Sequence, residues 1–231
     1  TDSFTYSVSD GDQSTTETVS IDVRASAVIE SVPTAPEGLG DQSIVADFAF
    51  QKSVAVFPDG SYIIVWIPYI NNSAAQELRY QRFTEDGSKS GAEGIATTVA
   101  NTASADFIGT TDVIAFDDGR FAIGWELPSA GQQKAIVFSA TGEAETAEIT
   151  LSDVPVEYNP RPLNVSLVAL EDSKFMSVFQ STTGVYGRVA GTDGTLGEIF
   201  EIEAISGSAI DGPHVTRLAD GNIAVLWRNS P

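Results

Sequence analysis

The residues able to carry chemistry are few, and most of them sit in turns. His214 is the chain's one histidine, the side chain whose ordinary pKa suits general-base work near neutrality. It opens an apolar strand pattern, in a position held by Ser53, Asp112 and Ser166 in three similar segments. No Gly-x-Ser-x-Gly elbow supplies a nucleophile, so a surface strand residue is expected there and no catalytic residue is assigned. Carboxylates recur in Asp-Gly pairs at Asp10-Gly11, Asp59-Gly60, Asp86-Gly87, Asp118-Gly119, Asp193-Gly194 and Asp220-Gly221. Calcium wants about six to eight oxygens, and no D-x-[DN]-x-[DN]-G loop gathers that many. Asp-Gly suits the positive φ of a type I′ hairpin turn instead, so turns are expected. Asp117 and Asp118 share one such turn and should point apart, unlike two glycosidase carboxylates facing across a sugar. No arginine cluster is present to hold a sialidase substrate's carboxylate. Trp66, Trp125 and Trp227 could stack on sugar rings, but their recurrence at one repeat position predicts structural core, together with Phe179.

The repeat must position these residues. Four segments align without gaps: SVAVFPDGSYIIVW (53–66), DVIAFDDGRFAIGW (112–125), SLVALEDSKFMSVF (166–179) and HVTRLADGNIAVLW (214–227). Each reads as an apolar strand, a tight turn, a second apolar strand and a closing aromatic. The aromatics Trp66, Trp125, Phe179 and Trp227 are separated by 59, 54 and 48 residues. Third strands follow at Leu78 to Phe83, Ala135 to Phe138 and Val185 to Val189, and fourth strands at Ile95–Val99, Ala147–Leu151 and Ile199–Ile202. Gln42–Phe48 is a candidate for the same fourth strand ahead of the first hairpin. Four short strands per unit of about 50 residues predict a β-propeller blade. Such a blade buries its faces only against neighbours, and the recurring aromatic is expected between blades.

Composition limits the partners. The 231 residues carry 32 acidic and 12 basic side chains, a formal charge of −20. Without a basic patch to displace counterions, nucleic acid and anionic membrane surfaces are not expected partners. Hydrophobic residues make up 42%, enough for a buried core. Cysteine is absent, which excludes disulfides, thiol catalysis and cysteine-ligated metals. No apolar run approaches the roughly 18 residues of a membrane span, and residues 1–10 do not read as a signal peptide.

Ahead of the repeat, Phe4, Tyr6 and Val8 alternate with polar residues, Asp10-Gly11 turns, and Val19, Ile21 and Val23 alternate again. This predicts a hairpin over 1–23, the last of a sandwich. Pro33, Pro36, Gly38 and Gly40 mark 24–40 as a stiffened linker, and 41–231 is the repeat domain.

The string Asp2-Ser3-Phe4-Thr5-Tyr6-Ser7-Val8-Ser9-Asp10-Gly11, with Thr18-Val19-Ser20-Ile21-Asp22-Val23, resembles the C-terminal hairpin of bacterial cadherin-like or VCBS-type Ig-like repeats. The segments Phe57-Pro58-Asp59-Gly60 through Trp66 and Leu218-Ala219-Asp220-Gly221 through Trp227 are similar to propeller-like L-x-D-G-x-F-x-V-x-W repeats found beside such modules in large secreted RTX-type adhesins. The third unit departs from that pattern, with Ser173 for glycine and Phe179 for tryptophan. The resemblance implies a secreted or bacterial cell-surface setting and calcium as the cation, with Asp10, Asp12 and Asp22 as its candidate ligands. It also implies partners among other domains of the same large chain and a cell-surface glycan or protein.

The expected fold is therefore all-β, a Ig-like/cadherin-like hairpin followed by a β-propeller-like domain with four visible repeats. The leading functional expectation is a non-enzymatic adhesion or structural module. Two alternatives stay open: a carbohydrate-binding propeller, with sugar held at loops such as 67–76, and a secreted polysaccharide-degrading enzyme.

Overall fold

The computed structural model describes residues 2–9, 14–21, 49–68, 75–100, 107–152, 164–181, 183–204 and 209–230. The chain divides into two units, Thr1–Asp41 and Gln42–Pro231. The linker expected over 24–40 and the strand expected over 42–48 lie outside the described residues.

In the first unit, β1 (Asp2–Ser9) and β2 (Ser14–Ile21) pair antiparallel, with Phe4 opposite Val19 and Val8 opposite Thr15. The second strand begins earlier than the apolar alternation implies. Thr15, Thr16 and Thr18 extend it, since β-branched side chains fit a pleated strand whether or not they are apolar.

The second unit repeats one plan. The strands β3 (Ala49–Val56), β4 (Tyr62–Pro68), β5 (Ala75–Phe83) and β6 (Lys89–Ala100) form the first antiparallel sheet. The second holds β7 (Thr111–Ala115), β8 (Phe121–Leu127), β9 (Gln132–Phe138) and β10 (Ile149–Thr150). The third holds β11 (Ser166–Ala169), β12 (Lys174–Ser181), β13 (Gly184–Gly191) and β14 (Leu196–Ala204). A final hairpin joins β15 (Ala209–Arg217) to β16 (Ile223–Ser230). Each sheet meanders outward from its first strand, and these first strands pack in series: β3 on β7, β7 on β11, β11 on β15. They are the innermost strands of four consecutive blades. Among the described residues the remaining regular element is a single 3₁₀ turn at Pro128–Ala130, and no helix among them is long and apolar enough to cross a membrane.

Alternation assigns each face of a blade to a different neighbour. Ile63, Val65 and Ile67 of β4 meet Phe121, Ile123 and Trp125 of β8 in one core. The other face of the second blade, with Ala122, Ala135 and Val137, meets Leu167 and Phe175 of the third. Val168, Met176 and Val178 then meet Val215, Ile223 and Val225. Successive residues of a strand point to opposite faces, so every inner strand must be apolar on both. That is why these segments read as continuous apolar runs rather than as alternating ones. One arginine stitches each of these interfaces near the turns. The Arg82 guanidinium lies 4.4 Å from the Phe57 ring centre, also faces Phe121, and donates to the Ala140 carbonyl. Arg120 donates to Thr192 Oγ1 (2.5 Å) and Ser173 Oγ (2.8 Å) in the third blade, and Arg217 pairs with Glu171.

The hairpin turns are not the type I′ turns that Asp-Gly suggested. Only the glycine is at positive φ: Gly60 at 81°, Gly119 at 86°, Gly194 at 86°, Gly221 at 85°. Each of these glycines donates to the carbonyl three residues back, as Gly60 does to Phe57 at 3.0 Å, giving the type I turn with a following bulge. The aspartate stays right-handed because its carboxylate accepts from the N–H two residues on. The distances are 3.0 Å for Ser61 N to Asp59, 3.0 Å for Ser88 N to Asp86, and 3.1 Å for Arg120 N to Asp118. They are 3.0 Å for both Thr195 N to Asp193 and Asn222 N to Asp220. In the third blade, where Ser173 replaces glycine, Asp172 and Ser173 both sit at φ 56°.

These bonds hold the turn carboxyls below the usual aspartate range. For Asp193 the Thr195 hydroxyl contributes most, and for Asp220 the Asn222 N–H. A lowered folded pKa means stability that is fully present above the unfolded value of 3.8 and lost as pH falls through the folded value. Thermal melts in acid should therefore fall less steeply for Asp193→Asn than for the wild type, with the two curves parallel near neutrality. Equal slopes through the acid limb would remove the turn aspartates from the explanation.

Candidate functional site

The four positions that the repeat alignment stacks in one column, Ser53, Asp112, Ser166 and His214, lie on the four innermost strands. They lie away from the Asp-Gly turns that end these strands, and they are bonded from blade to blade. Ser53 Oγ donates to Asp112 Oδ1 at 3.1 Å. Asp112 Oδ2 accepts from Leu167 N at 2.8 Å, and Ser166 Oγ accepts from Val215 N at 3.0 Å. Each acceptor thus takes the N–H that follows its own counterpart in the next blade. The reason is geometric: innermost strands converge, so one register position comes within side-chain reach of the next strand's backbone.

Asp112 is the centre of this belt. Its Oδ1 also accepts from Val113 N at 2.8 Å. Burial pushes its carboxyl above the usual aspartate range, against the opposing pull of the Leu167 and Val113 N–H groups, the Ser53 hydroxyl and the His214 charge. Desolvation disfavours the ionised form, and here it outweighs three hydrogen bonds. Ser166 is buried, Ser53 and Asp112 are half-buried, and His214 is exposed. The belt therefore combines hydroxyls, one carboxyl and one imidazole, with His214 reaching solvent.

Beside it lies a second polar layer. Glu126, buried at the end of β8, accepts from Thr110 N and Thr110 Oγ1, both at 3.3 Å, while Thr110 Oγ1 accepts from Val165 N at 2.9 Å. Buried Gln133 donates to the Asn164 carbonyl at 2.7 Å and accepts from Ser177 Oγ at 2.7 Å, and its own N–H donates to Ser152 Oγ at 2.8 Å. The bonds of Val165 N to Thr110 and of Gln133 to Asn164 and Ser177 cross from the second blade to the third.

The residues singled out from the sequence fall as follows. Asp10, Asp12 and Asp22 lie outside the described residues. Among the described residues no group of three or more His, Asp or Glu side chains is placed to hold a metal ion. Asp117 and Asp118 border a cleft of about 290 Å³ at the turn end, with Glu171, Asp172 and Arg217. Asp118 there pairs with Arg120 at 2.6 Å rather than with a second carboxyl. Trp66, Trp125 and Phe179 are buried, while Trp227 is half-buried on a hairpin with no third strand among the described residues. Of the loop 67–76, Ile67 and Pro68 end β4 and Ala75 and Gln76 begin β5; residues 69–74 lie outside the described ones. The sequence expected His214 to be a surface strand residue in the position of Ser53, Asp112 and Ser166, and it is exposed on β15. What the alignment left unread is that one column of a blade repeat brings its members side by side on adjacent inner strands.

No protein-family model and no curated protein matches the chain. Solved structures do. An α-L-arabinanase from Penicillium chrysogenum, complexed with arabinobiose, is 12% identical with a TM-score of 0.54, over 78% of this chain and 57% of that one. An endo-arabinase from Bacteroides thetaiotaomicron is 18% identical with a TM-score of 0.41, over 74% and 66%. A Hadza microbial sialidase is 13% identical with a TM-score of 0.41, over 78% and 39%. The chain thus spans a little over half the length of the arabinanase. At 12% identity the likeness to the arabinanase speaks to architecture alone, and together with the serial packing of four-stranded meanders it makes the second unit a β-propeller fold.

Proposed function

We propose that the second unit is a carbohydrate-binding β-propeller of a secreted or bacterial cell-surface protein, and that it binds without cleaving. The observation that carries this reading is the axial column Ser53, Asp112, Ser166 and His214. A few polar groups converging on a fold axis are what fixes the orientation of a hydroxyl-rich ligand. The arabinanase of similar fold holds arabinobiose, which makes pentose oligosaccharides the first ligands to try. The make-up of the column supports binding rather than hydrolysis. Glycoside cleavage uses two carboxyls flanking the bond, and Asp112 is the one carboxyl in the column, with its oxygens already engaged by three donors. Nor does the column form a nucleophilic relay: the Ser53 hydroxyl donates to Asp112, not to the imidazole. The resemblance of the first 23 residues to adhesin repeats fits the same reading, since a surface protein adheres to cells through sugars as readily as through protein.

A glycan array followed by calorimetry with arabinobiose and longer arabino-oligosaccharides tests it. Binding is expected to weaken about tenfold in His214→Ala, roughly the value of one lost hydrogen bond, with no reducing ends released from any bound glycan. An array without a single bound glycan sinks the proposal, and release of reducing sugar revives the enzyme alternative.

A further inference from the structure

Two of the innermost strands carry a bulge at the same repeat position. Two residues ahead of Ser53, Asp112, Ser166 and His214 stand Gln51, Thr110, Asn164 and Gly212. In the first blade Phe50 pairs with Ile67 and Lys52 with Trp66, which leaves Gln51 as the extra residue. In the fourth, Asp211 pairs with Arg228 and His214 with Leu226, so Gly212 and Pro213 together oppose Trp227. Gly212 sits at φ 56° and Gln51 at φ 41°. Glycine takes such a conformation without strain, and glycine is required in the fourth blade, where an added Cβ would lie 2.5 Å from Asn164 Nδ2. For glutamine the same conformation is strained. Its Cβ crowds the following carbonyl oxygen, and it lacks the short side chain by which Asn or Asp bonds its own backbone there. Among the described residues the other non-glycine positions at positive φ are Asp172 and Ser173, which form a hairpin turn that needs the reversal. Gln51 lies inside β3, where glycine would give the same bulge with no strain.

We propose that Gln51 is a sugar-binding residue of the polar column, held in its strained conformation by the bulge so that its amide meets the ligand; this rests on the carbohydrate reading above. A bulge takes its extra residue out of the alternation between faces and re-aims the side chain. In the second and third blades the same position serves blade contacts: Thr110 Oγ1 accepts from Val165 N at 2.9 Å, and the Asn164 amide lies against Gly212. Gln51 is solvent-exposed and makes no side-chain hydrogen bond to another described residue, so no such bond accounts for its conformation. Backbone strain of this kind persists at ligand-gripping positions. The amide offers two donors and an acceptor, the complement of neighbouring sugar hydroxyls that both give and accept. Two residues of strand span at most about 7 Å, so one oligosaccharide can meet Gln51 and Ser53 together.

Gln51→Gly tests strain and binding at once, by thermal melts beside a glycan array and calorimetry with arabino-oligosaccharides. The variant should melt no lower than the wild type and up to about 4 °C higher, because the bulge no longer forces a side chain into the left-handed region. Its sugar binding should nonetheless weaken about tenfold, the value of a lost hydrogen bond. Gln51→Ala keeps a Cβ in the strained region and removes only the amide, so it should weaken binding equally without the gain in melting temperature. A glutamine that merely braces β3 gives the opposite pair, a lower melting temperature in Gln51→Gly and unchanged binding. Either of those two results overturns the assignment. His214→Ala separates the causes of failure. If it weakens binding and Gln51→Gly does not, the role of Gln51 falls and the carbohydrate reading stands. A wild type that binds no glycan on the array takes both down together.

Discussion

Replacing Trp125 by alanine is expected to lower the unfolding free energy by about 3–5 kcal/mol, the range for emptying a large aromatic site in a packed core. Trp125 is fully buried and belongs to the core that joins the first two blades, with Ile63, Val65, Ile67 and Leu78 on one side and Val113 and Ile123 on the other. Strands pinned on two sides cannot collapse into the space, so the cavity should persist. Trp125→Phe should lose far less. The indole Nε1 is buried without a hydrogen-bond partner, and removing an unpaired buried donor returns part of what the smaller ring gives up, about 1–3 kcal/mol for such a group. The third blade already carries Phe179 at this position, also buried. Trp227→Ala should cost clearly less than Trp125→Ala, because Trp227 is only half-buried. Urea melts of the three variants decide this. Equal losses at Trp125 and Trp227 would mean that position in the repeat, rather than neighbours on both faces, sets the energy.

The repeat was legible because each blade's inner hairpin must satisfy the same constraints: two apolar strands, a turn that takes a glycine at positive φ, and an aromatic at a fixed distance. Those constraints act over fourteen residues and leave a gapless pattern. The type of turn was not legible from Asp-Gly alone. Type I′ places both residues at positive φ, whereas the bond from Asp59 to Ser61 N holds the aspartate in the right-handed region and leaves only Gly60 reversed. The belt was half legible. The alignment placed Ser53, Asp112, Ser166 and His214 in one column, but that the column belongs to innermost strands depends on the outward order of pairing, which apolar runs do not encode. Gln133 was not legible at all. A glutamine in a strand reads as a surface residue, and only the approach of Asn164 and Ser177 from the next blade buries and satisfies it.

Asp112 should separate the two roles of that column. Asp112→Ala is expected to cost about 2–4 kcal/mol, because it strips the acceptor from the Leu167 N–H and from the Ser53 hydroxyl, each worth about 1–3 kcal/mol when left unpaired in a buried site. Asp112→Asn should be much milder. The amide oxygen can take the Leu167 N–H while its NH₂ group donates to the Ser53 hydroxyl, which accepts as readily as it donates; the Val113 N–H loses its acceptor, a loss offset by the lower cost of burying a neutral amide. The pH dependence is the sharper test. A carboxyl whose folded pKa is raised contributes stability that is fully present below the unfolded value of 3.8 and is lost as pH rises through the folded value. This slope is opposite in sign to that of the turn aspartates. The stability of the wild type relative to Asp112→Asn should therefore be greatest in acid and fall to a lower plateau above the raised pKa. A difference that instead grows with pH would mean that the hydrogen bonds to Asp112 outweigh its burial, and the carboxylate would then be a stabilising anion. If the column binds sugar, Asp112→Asn should in addition weaken binding of arabino-oligosaccharides at neutral pH while leaving the melting curve near that of the wild type. A variant that folds as well and binds as well would leave Asp112 as a clamp between blades and nothing more.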